Sequence, residues 1–221
     1  QTVADGVKAM MDVVSIPVTV KHRIGIDRIE SYDFVRDFVG TVSDAGCKVF
    51  IVHARNAWLD GLSPKENREI PPLRYELGYQ LKKDFPNLVI AINGGITTNA
   101  QMAEHLQHVD GVMLGREAYY RPWLMTTWDE EFYNDPHETL SREAVEEAMV
   151  DYMERAHAED GCPWYPIARH MLGLFHGQRG ARLWRQTWSN HKLKPLPPRE
   201  VMKIAREALA RGAAERVIET E

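Results

Sequence analysis

The chain has 221 residues and a formal net charge of −5, with 44% hydrophobic and 27% charged residues, which suits one or two ordinary globular domains. No apolar run approaches the ~20 residues of a membrane span, and the first residues do not read as a signal peptide, so no membrane partner is expected. Two cysteines cannot build a disulfide framework, which predicts a reducing cytoplasm. The nine histidines show no metal-ligand spacing, so no metal site is expected.

The first part of the chain repeats a strand-and-helix pattern. Hydrophobic periodicity predicts helices over residues 2–14, 31–44 and 75–84, and apolar strands over residues 17–21 and 49–52. Basic residues follow both strands, as Lys21-His22-Arg23 and His53-Ala54-Arg55. A polar loop of residues 56–72 comes after the second strand. Its length in a compact domain is typical of a functional loop, and Arg68 lies within it.

Two further strands, residues 88–92 and 111–114, end in glycines. The first runs into Asn93-Gly94-Gly95 and the second into Gly115-Arg116, with a helix between them that opens at Thr98 in a capping box with Gln101. Glycines let a ligand approach the backbone, whose N–H groups can hold an anion. In (β/α)8 barrels the phosphate site follows the last two strands, so we expect a phosphate-bearing cofactor here. The alternative is that the glycines only shape tight turns.

The strand ends together predict one functional rim. Active sites of parallel α/β folds are built from the carboxyl ends of the strands. All four predicted strands end in polar, basic or glycine residues, which makes coincidence an unlikely explanation. The side chains expected to converge on this rim are Lys21, Arg23, His53, Arg55, Asn93 and Arg116.

The last part of the chain reads as a helical subdomain. Ser141 caps a helix to about residue 158, a second helix is expected over residues 167–175, and a last one opens at Pro197-Pro198. Residues 161–221 hold 11 lysines and arginines against 5 acidic residues, whereas residues 129–160 hold 12 acidic residues against 2 basic ones. This surplus of positive charge predicts a polyanion partner, the alternative being a solvated helix face.

Three arginines at a spacing of three residues are the candidate contacts for that partner, because on one helix they would share a side. They are Arg179, Arg182 and Arg185. Trp184 and Trp188 are interleaved with them. The two tryptophans either form a stacking surface or pack in the core, with core packing expected for at least one.

Six segments together resemble the tRNA-dihydrouridine synthases, specifically the bacterial A type: PVTVKHRIG, FIVHAR, GLSPKENREIPPLRY, INGGI, HVDGVMLGREAY and ARHMLGLFHGQRGARLWR. The resemblance covers nearly the whole chain, and SPKENREIPPL and RHMLGLFHG are far more specific than INGGI. It implies a TIM barrel followed by a helical domain. It also implies FMN as cofactor, NADPH as reductant, and reduction of D-loop uridines of tRNA to dihydrouridine, with hydride passing to uracil C6 and a cysteine protonating C5.

The resemblance also implies site residues, motif by motif. Lys21 and His53 look like flavin contacts at two strand ends. The FMN phosphate grip looks like Asn93, Gly94, Gly95, Gly115 and Arg116. The tRNA contacts are expected at Arg68, Arg179, Arg182 and Arg185.

One departure from the family is large. The family's catalytic cysteine lies in an NxGCP-type segment after the fourth strand, and this chain has no such segment. Cys47 precedes a strand and Cys162 lies in the helical part, so no catalytic residue is expected in this chain. We therefore expect residues 1–131 to be the second half of a TIM barrel and residues 132–221 a helical tRNA-binding domain. Four strands cannot close a barrel, so an N-terminal half-barrel or self-pairing must cover the open edges.

Two other readings of the sequence stay open. The chain is either a non-catalytic fragment that binds tRNA and flavin, or another phosphate-binding TIM-barrel enzyme such as an aldolase or a sugar-phosphate isomerase. Bound flavin excludes the second of these, and turnover by the purified chain excludes the first.

Overall fold

A computed structural model describes residues 1–218, with the backbone alone over residues 215–218. The chain forms two compact units, Gln1–Leu114 and Gly115–Glu221. The predicted division after residue 131 assigns residues 115–131 to the barrel, and that assignment stays a prediction. Within the described range, no helix combines the length and the apolar character needed to cross a membrane.

The first unit alternates helices with strands in a single parallel sheet of order β1-β2-β3-β4. The order confirms the predicted class, an α/β fold that corresponds to part of a TIM barrel followed by helices. Because β1 and β4 lie at opposite edges of the sheet, the described strands do not close a barrel. The elements are α1 (Thr2–Met11), β1 (Val20–Arg23), α2 (Tyr32–Asp44), β2 (Val49–His53), α3 (Tyr75–Asp84), β3 (Val89–Asn93), α4 (Asn99–His105) and β4 (Gly111–Met113).

Side-chain caps start two of these helices. Ser31 Oγ accepts from the Asp33 amide at 3.2 Å, and Thr98 Oγ1 accepts from the Gln101 amide at 3.2 Å. Gln101 Oε1 in turn accepts from the Thr97 amide at 2.9 Å, one residue before the position expected for a capping box. The caps satisfy amide groups that have no partner inside a helix.

Strand β1 begins later than predicted. Pro17 has no amide hydrogen to give to a ladder, and the first paired residue is Val20, opposite Phe50. As a result Lys21 lies inside β1 and Arg23 is its last residue. Lys21 therefore lies two residues before the carboxyl end of β1.

The two faces of the sheet differ. Phe50, Val52, Ile90 and Ile92 point to the face covered by helices and are fully buried. Helix α3 lies so close to this face that a Cβ at Gly78 would be 2.7 Å from Ile92 Cδ1. Because side chains alternate along a strand, Lys21, His53 and Asn93 point to the opposite face.

The second unit is helical in the part of it that the structure describes. Its helices are α5 (Arg116–Tyr120), α6 (Trp128–Tyr133), α7 (Arg142–Asp160), α8 (Trp164–Ala168), α9 (Ala181–Trp188) and α10 (Pro198–Ile218). As predicted, Ser141 caps α7: its Oγ accepts from the Ala144 amide at 3.0 Å, and Gly161 ends the helix at φ 66°. The predicted helix over residues 167–175 is wrong, since α8 ends at Ala168 and consecutive turns follow.

Glycines explain those turns. The backbone at Gly173 lies so close to the Tyr120 carbonyl that a Cβ would overlap its oxygen, and Gly177 and Gly180 both have φ of 77°. A right-handed helix cannot contain such φ values. The apolar residues whose spacing suggested a helix still belong to the core, because Met171, Leu174 and Phe175 are buried.

A buried carboxylate organises the core of the second unit. Glu146 of α7 is fully buried, and its Oε1 accepts from Trp184 Nε1 at 2.7 Å and from Trp188 Nε1 at 3.0 Å. Its other oxygen, Oε2, accepts from Arg206 Nε of α10 at 2.8 Å. A buried charge is tolerated only when it is paired and hydrogen-bonded, and here three donors meet one carboxylate.

Removal of this carboxylate therefore leaves Arg206 without its buried partner and two indole N–H groups without an acceptor. We expect Glu146→Ala to lower the free energy of unfolding by about 3–5 kcal/mol. The control Glu147→Ala, at a carboxylate whose side chain is 44% exposed, is expected to cost no more than about 1 kcal/mol. Urea denaturation of both variants measures the difference, and equal costs would contradict the role of Glu146.

Candidate functional site

The last residues of the four strands form one row. Arg23 pairs with His53, His53 with Asn93, and Asn93 with Met113 across β1 to β4. The carboxyl ends of the strands thus bring these predicted rim residues together on one edge of the sheet. Arg116 belongs to the second unit, so its place at the rim stays a prediction.

The Asn93 side chain connects three strands. Its Oδ1 accepts from Lys21 Nζ at 3.1 Å, and its Nδ2 donates to the Met113 carbonyl at 2.7 Å. These two bonds fix which way the carboxamide points. They also hold the Lys21 ammonium over the open face of the sheet, where its other N–H groups have no acceptor among the described residues.

The site carries a concentration of positive charge. Burial lowers the pKa of Lys21 from its ordinary value of 10.5, and the nearby Arg23 lowers it further. Burial also lowers the pKa of Arg23, with smaller contributions from Arg55 and Arg68. Lys21 and Arg23, held close to other cations in this way, would gain from an anionic ligand.

The Gly94-Gly95 turn is required by its surroundings. The two glycines have φ of 122° and 67°, and a Cβ at Gly94 would lie 2.8 Å from His53 Cδ2. At Gly95 a Cβ would lie 2.8 Å from Leu73 Cδ1, and the Tyr75 hydroxyl donates to the Gly94 carbonyl. These contacts account for both glycines as shapers of the turn, and their role in holding a phosphate stays a prediction.

Arg23 holds the long loop over the site, a role that the sequence analysis missed. Its Nη1 donates to the Asn56 carbonyl at 2.7 Å and to the Asn67 carbonyl at 2.8 Å. The Asn67 carboxamide then bridges to Trp58, accepting from its amide at 2.9 Å and donating to its carbonyl. The first residue of the loop and Asn67 are thereby both tied to the last residue of β1.

A local signal for this loop structure is present in the sequence. Ser63 and Glu66 have the spacing of a capping box, and the Glu66 Oε2 accepts from the Ser63 amide at 2.8 Å. The Glu66 amide in return donates to Ser63 Oγ at 3.3 Å. This pair starts the short 3-10 helix Glu66–Arg68, which carries Asn67 into place.

A cleft of about 690 Å³ lies between the strand ends and the loop. Lys21, Arg23 and His53 line its strand side, and Trp58 and Arg68 its loop side. No carboxylate among the residues that the structure describes lines it. Arg68 therefore lies in the same cleft as two of the predicted flavin-contacting residues, and the cleft has the size and charge for a phosphate-bearing ligand.

Neither cysteine lies at the strand ends. Cys47 is fully buried before β2, at the amino end of the sheet, and its Sγ contacts the Val18 and Val49 carbonyls at 3.5 and 3.4 Å. Cys162 belongs to the second unit. Nor do His, Cys, Asp and Glu side chains cluster as metal ligands anywhere in the part of the chain that is described.

The arrangement predicted for the three arginines is wrong in one respect. Arg179 precedes α9, separated from it by Gly180 in the left-handed conformation, whereas Arg182 and Arg185 lie within the helix. A stacking role for the tryptophans is also excluded, since Trp184 is fully buried and Trp188 is 3% exposed. The spacing of three residues takes no account of Gly180, which lies between Arg179 and Arg182 and interrupts the series.

Part of the positive charge of the C-terminal segment is used internally. Arg199 pairs with Glu147 at 2.8 Å and with Asp151 at 2.6 Å, both on α7. Arg206 pairs with Glu146 of the same helix. The acidic and basic stretches that the sequence showed as an asymmetry therefore neutralise one another in part, and the charge left for a partner lies elsewhere.

The fold is that of an α/β protein of the TIM-barrel class, with a cationic cleft at the ends of its strands. The family model described as "Dihydrouridine synthase (Dus)" matches residues 1–209, and the chain belongs to this family.

Three curated relatives are named tRNA-dihydrouridine(20/20a) synthase. The relative from Shewanella oneidensis is 53% identical over 95% of this chain, that from Yersinia pestis 51% over 94%, and that from Escherichia coli K12 53% over 95%. The chain spans 62%, 59% and 61% of their respective lengths. A solved mandelate oxidase aligns with a TM-score of 0.34 and 12% identity, a likeness too weak to support an argument.

The two bonds from Arg23 to the loop carbonyls of Asn56 and Asn67 lead to a direct prediction. Arg23→Ala removes two charge-assisted bonds to loop carbonyls, so we expect the Trp58 amide to exchange its hydrogen about 10- to 100-fold faster. Arg36→Ala is the control, since Arg36 makes exposed ion pairs on α2. Hydrogen exchange followed by NMR measures both variants, and equal exchange rates at Trp58 would show that Arg23 does not hold the loop.

Proposed function

We propose that this chain supplies the flavin-binding and tRNA-binding parts of an enzyme that reduces D-loop uridine of tRNA to 5,6-dihydrouridine, with FMN as cofactor and NADPH as reductant. The observation that carries the proposal is the cleft at the strand ends, with Lys21 held by Asn93, in a chain of the dihydrouridine synthase family. The names of the relatives agree with tRNA as substrate.

The residues of the cleft fit FMN in charge and in donor chemistry. FMN carries a phosphate and a ring system rich in hydrogen-bond acceptors, and the cleft offers Lys21, Arg23 and Arg68 with no opposing carboxylate. Lys21 and His53 would contact the flavin. The phosphate grip is proposed at Asn93, Gly94, Gly95, Gly115 and Arg116.

In this proposal the protein positions the flavin and the RNA and stabilises negative charge on the bound ligand. Bound FMN in its reduced form supplies the hydride that uracil accepts at C6. The Lys21 ammonium, fixed by Asn93, stabilises negative charge on the ligand beside it. The loop clamped by Arg23 carries Trp58 and Arg68 to the mouth of the cleft, where it limits the access of water and meets the RNA.

The substrate and the remaining parts are proposed as follows. Arg68 at the cleft and Arg179, Arg182 and Arg185 in the helical unit contact tRNA phosphates. The proton for uracil C5 comes from a cysteine outside these 221 residues, on an N-terminal half-barrel that also pairs with the open edges of the sheet. The enzyme works in the cytoplasm.

Two other functions make different predictions. A non-catalytic flavin- and tRNA-binding fragment would bind both ligands and yield no dihydrouridine even when an N-terminal half-barrel is supplied. Another phosphate-binding barrel enzyme would bind a sugar phosphate in place of FMN. The arginines on the helical unit favour an RNA enzyme over the second alternative.

Titration of FMN into the chain tests the site. Lys21→Met removes a charge-assisted donor from the cleft, so we expect the Kd for FMN to rise about 10- to 100-fold. Lys83→Met removes an equal charge from an exposed position on α3 and is expected to leave the Kd unchanged. Quenching of flavin fluorescence measures the Kd, and circular dichroism checks that each variant is folded.

Arg116→Ala tests the phosphate grip in the same assay, with riboflavin as the matched ligand that lacks the phosphate. We expect the variant to lose affinity for FMN and to bind riboflavin as the parent chain does. An unchanged FMN affinity in both Lys21→Met and Arg116→Ala would place the flavin elsewhere and overturn the proposed site.

A further inference from the structure

A second cleft, of about 630 Å³, lies wholly within the helical unit. One part of its lining is cationic, from Arg169, Arg182 and Arg185. Another part is aromatic, from Tyr119 and Tyr120, and none of the described residues that line the cleft is acidic. Its volume is in the range typical of sites for small organic molecules and single nucleotides.

The aromatic part is held in place by specific contacts. Tyr119 Oη and His170 Nδ1 are 2.9 Å apart, and the Tyr119 and Tyr120 rings meet edge to face at 5.4 Å. The close approach of Gly173 to the Tyr120 carbonyl joins α5 to the turns that carry His170. Tyr120 remains 61% exposed, so a flat face is available to a ligand.

The arginines of this cleft differ from those of α10. Arg199 and Arg206 are held by carboxylates of α7. Arg169, Arg182 and Arg185 are exposed and form no ion pair with any side chain that the structure describes. Guanidinium groups without carboxylate partners, beside exposed aromatic rings, are the combination with which proteins bind unpaired nucleotides.

We propose that this cleft binds an unpaired nucleotide of the RNA substrate, with the base stacked on Tyr120 and its flanking phosphates on Arg182 and Arg185. The inference rests on the proposed function in taking RNA as the partner, but its cleft shares no lining residue with the cleft at the strand ends. Tyr119 and His170 position the Tyr120 ring. A cleft for phosphate alone would not need the tyrosines, and a cleft for an acidic peptide would not need a flat stacking face.

Binding of single-stranded hexauridine to the full chain, without FMN or NADPH, tests the site by fluorescence anisotropy. Replacing an aromatic side chain that stacks on a base by alanine weakens binding about 5- to 100-fold, and we expect this loss for Tyr120→Ala. Tyr120→Phe keeps the ring and should keep the affinity. Tyr152→Ala is the matched control, because Tyr152 is 48% exposed on α7 of the same unit. Inorganic polyphosphate serves as a probe with charge and no base, and its binding should not change in Tyr120→Ala.

Arg185→Gln is expected to weaken the binding of both probes and to lower the slope of log Kd against log salt for hexauridine by about 0.7. Arg155→Gln, at an exposed position on α7, should change neither. The inference is overturned if the parent chain does not bind hexauridine, if Tyr120→Ala behaves as Tyr152→Ala, or if it loses polyphosphate binding equally. A chain that binds hexauridine through Tyr120 but does not bind FMN would overturn the proposed function and leave this inference standing.

Discussion

The geometry of the strand ends depends on the Asn93 carboxamide. One amide side chain on β3 accepts from Lys21 of β1 and donates to the carbonyl of Met113 of β4, so it connects three strands of the sheet at their carboxyl ends. Neither bond can be reversed, because an ammonium only donates and a carbonyl only accepts. The position of the Lys21 charge is therefore set by the sheet itself and not by a mobile loop.

Around that fixed charge the chain places groups that destabilise one another. Burial and neighbouring cations lower the pKa values of Lys21 and Arg23, which means that the folded protein holds these charges at a cost. Arg23 offsets part of that cost through two loop carbonyls. In the helical unit, by contrast, the charge of the buried Glu146 is compensated by Arg206 and by two indole N–H groups. Incomplete compensation at the strand ends is what a ligand site requires.

Sequence reasoning found the parts of the fold that local patterns encode. The four strands, their polar ends, and the caps at Thr98 and Ser141 follow from periodicity and capping chemistry, which act over a few residues. Tertiary contacts decided the rest. The helix expected after Ala168 is replaced by turns, in which Gly173 packs against a distant carbonyl, and the burial of Glu146 was not predicted because its partners come from α9 and α10. Nothing in the sequence indicated that Arg23 holds the loop, because both of its acceptors are backbone carbonyls, which every residue has.

The pKa of Lys21, measured by NMR of its side-chain 13Cε with and without FMN, tests the central claim most directly. We expect a pKa below the ordinary 10.5 in the free chain, since burial disfavours the charged form, and a rise of that pKa on saturation with FMN, since an adjacent anion favours it. The 13Cε signal of Lys83, exposed on α3, should not move when FMN is added. An ordinary pKa in the free chain, or no change at Lys21 when FMN is bound, would contradict the assignment of the strand ends as the flavin site.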